Sequence, residues 1–136
     1  MRIVFATDEH VDWISSRDHH LEKSLILPKI KVKEIYLLED ESEALIGWMR
    51  YGYFWDNTPF MNMLWIDEPF RNRGFGQQVV EFWENEMKRH GFKRVMTSTQ
   101  ADEGSQHFYR KLGYKDAGCL LLDAQPLEII STKKLC

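Results

Sequence analysis

The stretch Arg71-Asn72-Arg73-Gly74-Phe75-Gly76 stands between a run with strand character, Phe60 to Ile66, and the best-patterned helix of the chain. In that helix Phe75, Val79, Val80, Phe82, Trp83 and Met87 recur on one face, Gln78, Glu81, Glu84, Asn85 and Lys88 fall on the other, and Gly91 ends it. A strand that runs through a glycine loop straight into a helix gathers free backbone N–H groups and the positive end of the helix dipole at one point. Gly74 and Gly76 admit close approach to the backbone, and Arg71 and Arg73 supply the dense positive charge near it. Such a loop suits a pyrophosphate.

Two familiar phosphate motifs fail here. The dinucleotide fingerprint needs a third small residue where this chain has Val79, and it follows a first strand, whereas this loop follows a fourth. The P-loop pattern G-x-x-x-x-G-K-[ST] does not occur.

Working outward, the order of elements reads β-α-α-β-β-β-α-β-α-β-β, an α/β domain with a mixed sheet, antiparallel early and parallel around the glycine loop. Arg2 to Ala6 reads as a strand, and Thr7 as the N-cap of a helix carrying Val11, Ile14 and Leu21. Glu22 to Lys33 reads as a second helix, which Pro28 must adjoin at an end or break. Strands follow at Glu34 to Leu38 and Leu45 to Trp55, and Asn57-Thr58-Pro59 turns the chain toward Phe60. After the central helix come a strand from Lys93 to Thr99 and a helix capped by Asp102, bearing Phe108 and Leu112 and closed by Gly113. Strands at about Lys115 to Leu122 and Leu127 to Thr132 complete the pattern.

The composition sets outer bounds. At 136 residues, 43% hydrophobic and 29% charged, without repeat or low-complexity linker, the chain is expected to form a single domain over 1–136. No apolar run approaches the roughly 20 residues that cross a bilayer. The start MRIVFATDEHVDW is too briefly apolar and too soon acidic for a secretory signal, so a cytoplasmic location is expected. A net charge of -3 opposes partnership with nucleic acid or an anionic membrane, so any phosphate site must be local. Cys119 and Cys136 lack metal or redox spacing and are expected as reduced thiols. The histidines lack zinc spacing, so no metal is expected. Aromatic content of 13%, with five tryptophans, is high for so small a domain.

The loop Arg71-Asn72-Arg73-Gly74-Phe75-Gly76 resembles the acyl-CoA loop Gln/Arg-x-x-Gly-x-Gly/Ala of the GNAT N-acetyltransferase superfamily. The preceding strand Met61-Asn62-Met63-Leu64-Trp65-Ile66 occupies that family's place. So does the segment from Asp102 to Tyr114 with Phe108-Tyr109-Arg110-Lys111-Leu112-Gly113-Tyr114, similar to the family's helix ending in Phe/Leu-Tyr-x-x-x-Gly-Phe/Tyr. The quoted pieces cover about Phe60 to Tyr114, and the element order extends the likeness to the whole chain. The resemblance implies a mainly antiparallel sheet, flanked by helices, whose central parallel pair splays apart. It implies acetyl-CoA as co-substrate and a primary amine, on a small molecule or a peptide, as acceptor. It also leaves room for a homodimer, since dimers are common in the family.

By the same resemblance the backbone from Asn72 through Arg73, Gly74, Phe75 and Gly76 to Gln77 holds the pyrophosphate. Leu64, Trp65 and Ile66 pair through their backbone with the pantetheine arm, which acts as an added strand. Tyr109 takes the place of the general acid for the departing sulfur, with the ordinary phenol value near 10 suited to that task; the alternative is a plain half-buried aromatic. Thr97 stands where many members carry a glutamate and cannot serve as a base. Asp102 stands where the family often binds the cofactor or a water, and equally reads as a helix cap. Glu34, Asp56 and Asp67 have no spacing that singles one out as base, and a water chain fits as well. That missing glutamate keeps open a second function, a non-catalytic CoA or acyl-CoA sensor.

The acceptor of this family enters between the first helices and the central strands, which makes Trp13, Arg17, His20 and the strand after Gly47 candidate walls. Alternation sets Tyr51, Tyr53 and Trp55 on one face and Trp48, Arg50 and Phe54 on the other. Aromatic walls suit an amine with an apolar or aromatic part.

Overall fold

The computed structural model describes residues 1–136. Its strands are β1 (Arg2–Phe5), β2 (Ile35–Glu39), β3 (Leu45–Phe54), β4 (Thr58–Ile66), β5 (Arg94–Gln100), β6 (Lys115–Leu120) and β7 (Glu128–Lys134). Its helices are α1 (Val11–Arg17), α2 (Lys23–Lys31), α3 (Phe75–Arg89) and α4 (Ser105–Lys111). The strands form one sheet in the order β1-β2-β3-β4-β5-β7-β6, in which β4 and β5 run parallel with the register Phe60↔Met96 and Met61↔Thr97. The β1–β2, β2–β3, β5–β7 and β6–β7 pairs are antiparallel. The mixed, mainly antiparallel fold read in the sequence is thus observed. The chain packs as two compact units, Met1–Tyr51 with Met63–Gly76, and Gly52–Asn62 with Gln77–Cys136.

In the first unit, Ala6, Ile14, Ile26, Ile30, Ile35, Leu37 and Trp48 form one buried cluster, with Val11, Trp13, Leu21 and Met63 packed on it. Ile35 to Leu38 are buried in succession, as in a strand covered on both faces, and Tyr36 packs on Phe5 and Tyr51 on the side away from that cluster. α1 stops at Arg17, so Leu21 reaches the core from the connection, not from the expected helix. Thr7 precedes a 3-10 turn, Asp8–His10, and its N–H donates to His10 Nδ1 at 2.9 Å. Pro28 lies inside α2, three residues before its end, and does not break it. The carbonyl its ring leaves without a donor belongs to Ser24, an exposed residue.

In the second unit, α3 buries Val79, Val80, Trp83 and Met87 as the pattern predicts. It also buries Glu84, which the pattern placed on the polar face; its carboxylate accepts the Tyr114 hydroxyl at 2.8 Å and Lys133 Nζ at 2.9 Å. The helix of the FYRKLGY segment closes by a Schellman motif: Gly113 N–H donates to Arg110 O and Tyr114 N–H to Tyr109 O, both at 3.0 Å. Gly113 holds φ +95, and the Tyr109 and Tyr114 rings meet at 5.5 Å across the cap. The spacing Tyr-x-x-x-Gly-Tyr is therefore a helix stop with its hydrophobic clasp.

The β3–β4 hairpin differs from expectation. Its turn lies at Trp55-Asp56, with φ values of 56 and 60, closed by Asn57 N–H to Phe54 O at 3.2 Å. Pro59, expected in the turn, is buried in β4. Two positive φ values define the tight hairpin loop that favours Asn and Gly. Trp55 occupies such a position while 79% exposed, so its backbone strain is opposed by little burial. Trp55→Asn is expected to stabilise the protein by about 1 kcal/mol, read as a higher Tm; an unchanged or lower Tm contradicts the strain.

Candidate active site

In the first unit the end of β4 is fixed by its approach to β3. Gly47 lies so close that a Cβ there would sit 2.1 Å from the Trp65 carbonyl and 3.1 Å from Ile66 Cα. The Trp65 carbonyl therefore faces β3, and Asp67 N–H donates to Ile46 O at 2.7 Å. Because the N–H and C=O of a planar trans peptide point oppositely, Ile66 turns both its N–H and its C=O away from β3. The three residues read as one cofactor ladder are thus unequal, with Ile66 presenting its groups to the far edge and the Trp65 carbonyl used inside the sheet. The Ile66 carbonyl accepts Arg71 Nε–H at 2.7 Å, and the Arg71 guanidinium stacks over the Trp65 ring at 4.6 Å. Arg71, expected to serve the anion loop by its charge, also ties that loop back to β4.

The loop itself is exposed from Arg71 to Gly74, with Asn72 at φ 62 and Gly74 at φ 80. Nothing lies within 4 Å of a Cβ built at Gly74, so the backbone is approachable from that side. Phe75 opens α3, so the N–H groups of Gly74, Phe75, Gly76 and Gln77 have no partner inside the helix. The Arg73 guanidinium lies over the Phe70 ring at 5.6 Å. Positive loop geometry, a bare glycine and the start of a 15-residue helix fit an anionic phosphate group.

A cleft of about 490 Å³ opens in the same unit. Trp48, Met63 and Trp65 form its apolar side, and Ser16, Arg17, His19, His20 and Asp67 its polar side. Of the expected walls, Arg17, His20 and Trp48 line it, whereas Trp13 stands behind, edge-on to Trp48 at 5.7 Å. Beneath lies a cluster that sequence reading missed. Asp18, 2% exposed, accepts Arg50 Nε at 2.6 Å and NH2 at 3.2 Å, Trp48 Nε1 at 3.1 Å and the His20 N–H at 3.1 Å. Burial pushes the Asp18 carboxyl up, but Arg50, Trp48 and the His20 N–H outweigh it and hold it below the ordinary carboxylate value. The one available signal was Trp48 and Arg50 two apart on a strand, which places both on one face; their acid lies thirty residues earlier.

The carboxylates considered as bases have other duties. Glu34 accepts Lys29 Nζ at 2.6 Å, Asp56 sits in the hairpin turn, and Asp67 accepts Arg17 NH1 at 3.0 and 3.2 Å and Trp65 Nε1 at 3.1 Å.

In the second unit Tyr109 is buried, and its hydroxyl donates to the Met61 sulfur at 3.4 Å. Burial pushes this phenol up to about 12, moderated by a hydrogen bond with Thr97, so the ordinary value near 10 does not apply. Thr97 Oγ1 donates to the Met61 carbonyl at 3.0 Å, a tie at the parallel register. Asp102 is exposed in the turn before α4, whose N-cap is Gly104, so the capping role read for Asp102 is corrected. Cys119 and Cys136 are unpaired and exposed, and no helix is long and apolar enough to cross a membrane.

A family model described as the acetyltransferase (GNAT) family matches residues 5–114. Among solved structures, the chain is similar to Ard1 from Thermoplasma volcanium at 13% identity and a TM-score of 0.83, covering 99% of this chain and 97% of that one. It is similar to a GNAT family acetyltransferase from Elizabethkingia anophelis with acetyl-CoA bound, at 21% identity and a TM-score of 0.75, covering 98% and 97%. It also matches the ribosomal-protein-S18-alanine N-acetyltransferase from Escherichia coli at 13% identity and a TM-score of 0.74, covering 98% and 93%. At such identities the structural likeness is one of fold.

Proposed function

Because the chain belongs to the GNAT acetyltransferase family, we propose that it acts as one N-acetyltransferase domain over 1–136, transferring an acetyl group from acetyl-CoA to a primary amine. The observation that carries this reading is the loop from Asn72 to Gln77, exposed through Gly74, bare at Gly74 and continuous with the N-terminus of α3. Acetyl-CoA, when bound, supplies an activated acyl carbon and a sulfur leaving group.

The residues divide the remaining tasks. Asn72, Arg73, Gly74, Phe75, Gly76 and Gln77 hold the pyrophosphate through backbone N–H groups. Leu64 and Ile66 offer strand groups to the pantetheine arm, and the Ile66 N–H, turned away from β3, is the donor for the developing oxyanion. Arg71 must yield the Ile66 carbonyl if the arm is to pair with it. The amine nitrogen bonds to the acyl carbon as the carbon–sulfur bond breaks; the nitrogen sheds its proton to a cleft imidazole or water, and the sulfur leaves as a thiolate that takes its proton from water. His19 and His20 line the cleft, and an imidazole is the side-chain type most often used to take a proton from a reacting group. Asp102 remains the candidate for a cofactor or water contact.

Tyr109 serves the sulfur. With its phenol raised to about 12 it stays protonated throughout the working range, so it acts as a fixed hydrogen-bond donor to the departing sulfur. It already donates to one sulfur, that of Met61. Tyr109→Phe is expected to lower thiol release from acetyl-CoA tenfold or more while CoA affinity persists. Undiminished turnover in that variant removes Tyr109 from the mechanism.

A further inference from the structure

The cleft beside the end of β4 has a composition that selects among amines. Its apolar side is a corner of two indoles, Trp48 and Trp65, with ring centroids 6.2 Å apart and planes at 31°, and Met63 beside them. Trp65 is 44% exposed and carries the Arg71 guanidinium over its ring at 4.6 Å, so it offers apolar surface beside a second fixed positive charge. Its one lining carboxylate is committed: Asp67 Oδ1 accepts both Arg17 NH1 and Trp65 Nε1. Arg17 is itself held over the Trp13 ring at 4.7 Å, so this pairing is braced from two sides. The rest of the polar lining is Ser16, His19 and His20, which adds no negative charge.

These facts set the electrostatics. A monoamine brings one positive charge, which vanishes when the amine reacts as the neutral base. A polyamine or lysine-rich peptide keeps further positive charges that would meet Arg17 without a free carboxylate to answer them. An aromatic or extended apolar body, in contrast, covers Trp65 and Met63 and gains their burial. Trp65 also places the ligand by position, since its side chain lines the cleft while the adjoining Ile66 peptide carries the groups turned from β3.

We propose that the acceptor is a primary monoamine attached to an aromatic or extended apolar body, and that the Arg17–Asp67 pair excludes polycations. This rests on the acetyltransferase reading only for its chemistry; the binding preference stands on the cleft. The test has two arms. In the first, 2-phenylethylamine and spermidine are titrated calorimetrically into the CoA-loaded protein, where no transfer can occur. In the second, kcat/KM for thiol release from acetyl-CoA is measured with both amines.

Phenylethylamine is expected to bind at least tenfold more tightly and to be the better substrate by a similar factor. Trp65→Ala is expected to raise its KM tenfold with a smaller change in kcat, and Trp65→Phe to restore most of it. Arg17→Gln, which releases Asp67, is expected to narrow the gap by favouring spermidine. Equal or tighter binding of spermidine, or a Trp65→Ala protein with unchanged KM, overturns the proposal. Selective phenylethylamine binding without any thiol release upholds the cleft's preference and contradicts the acetyltransferase reading instead.

Discussion

Asp18→Ala is expected to destabilise the protein by about 3–5 kcal/mol, because it strands the Arg50 guanidinium in a buried position without its counter-ion. Arg50 is only 6% exposed and its Nε lies 2.6 Å from the Asp18 carboxylate. The same change removes the acceptor of the Trp48 indole N–H and of the His20 N–H. A domain of ordinary stability holds about 5–15 kcal/mol in total, so most of the folded margin is at stake. Urea unfolding measures it directly, and a loss under about 1 kcal/mol would show that the cluster contributes little. The double replacement Asp18→Leu with Arg50→Met is expected to recover much of the loss, since it strands no charge. The pH dependence has a definite sign. Asp18 is held below the ordinary carboxyl value when folded, so its stabilisation is complete above that value and is lost as pH falls through the lowered one.

Gly47→Val carries the second large effect, about 3 kcal/mol or more, at the upper end of overpacking costs. A Cβ at that position meets the Trp65 carbonyl at 2.1 Å and Leu38 Cδ1 at 3.1 Å, and backbone cannot swing aside as a side-chain tip does. β3 and β4 must part where the Ile66 peptide is aimed. Gly47→Ala, the milder change, is expected to leave a folded protein whose CoA affinity is reduced about tenfold, equivalent to about 1.4 kcal/mol. Calorimetric titration with CoA checks this, and wild-type affinity in that variant would show that the β4 peptides do not serve the cofactor.

The features legible in the sequence were those that backbone chemistry writes locally. A glycine loop between strand and helix, and a glycine at a fixed distance after a helical tyrosine, each dictate a conformation within a few residues, and both appear at Gly74 and Gly113. The features that escaped depend on partners distant in sequence or on a locally unfavourable choice. Asp18 looks like any acid after a helix until Arg50 and Trp48 meet it across the first unit. Glu84 falls on the polar stripe of α3, and only the folded chain brings Tyr114 and Lys133 to it. The hairpin turn was misplaced because Trp55 holds a conformation that Asn or Gly usually marks, while Pro59, a usual turn residue, is built into β4. Within the candidate site, sequence order found the strand and the loop. It could not show that Arg71 clasps the Ile66 carbonyl, or that Ile66 alone of the pair Trp65 and Ile66 turns its carbonyl outward.

The chain is expected to catalyse amine-dependent transfer of the acetyl group of acetyl-CoA. The most direct measurement incubates the protein with acetyl-CoA and a panel of primary amines, following free thiol and acetylated amine together. Thiol released in proportion to enzyme, dependent on the amine and matched by equal acetylated product is the predicted result. Saturable binding of acetyl-CoA with no amine-dependent thiol release would contradict it and identify the chain as an acyl-CoA sensor.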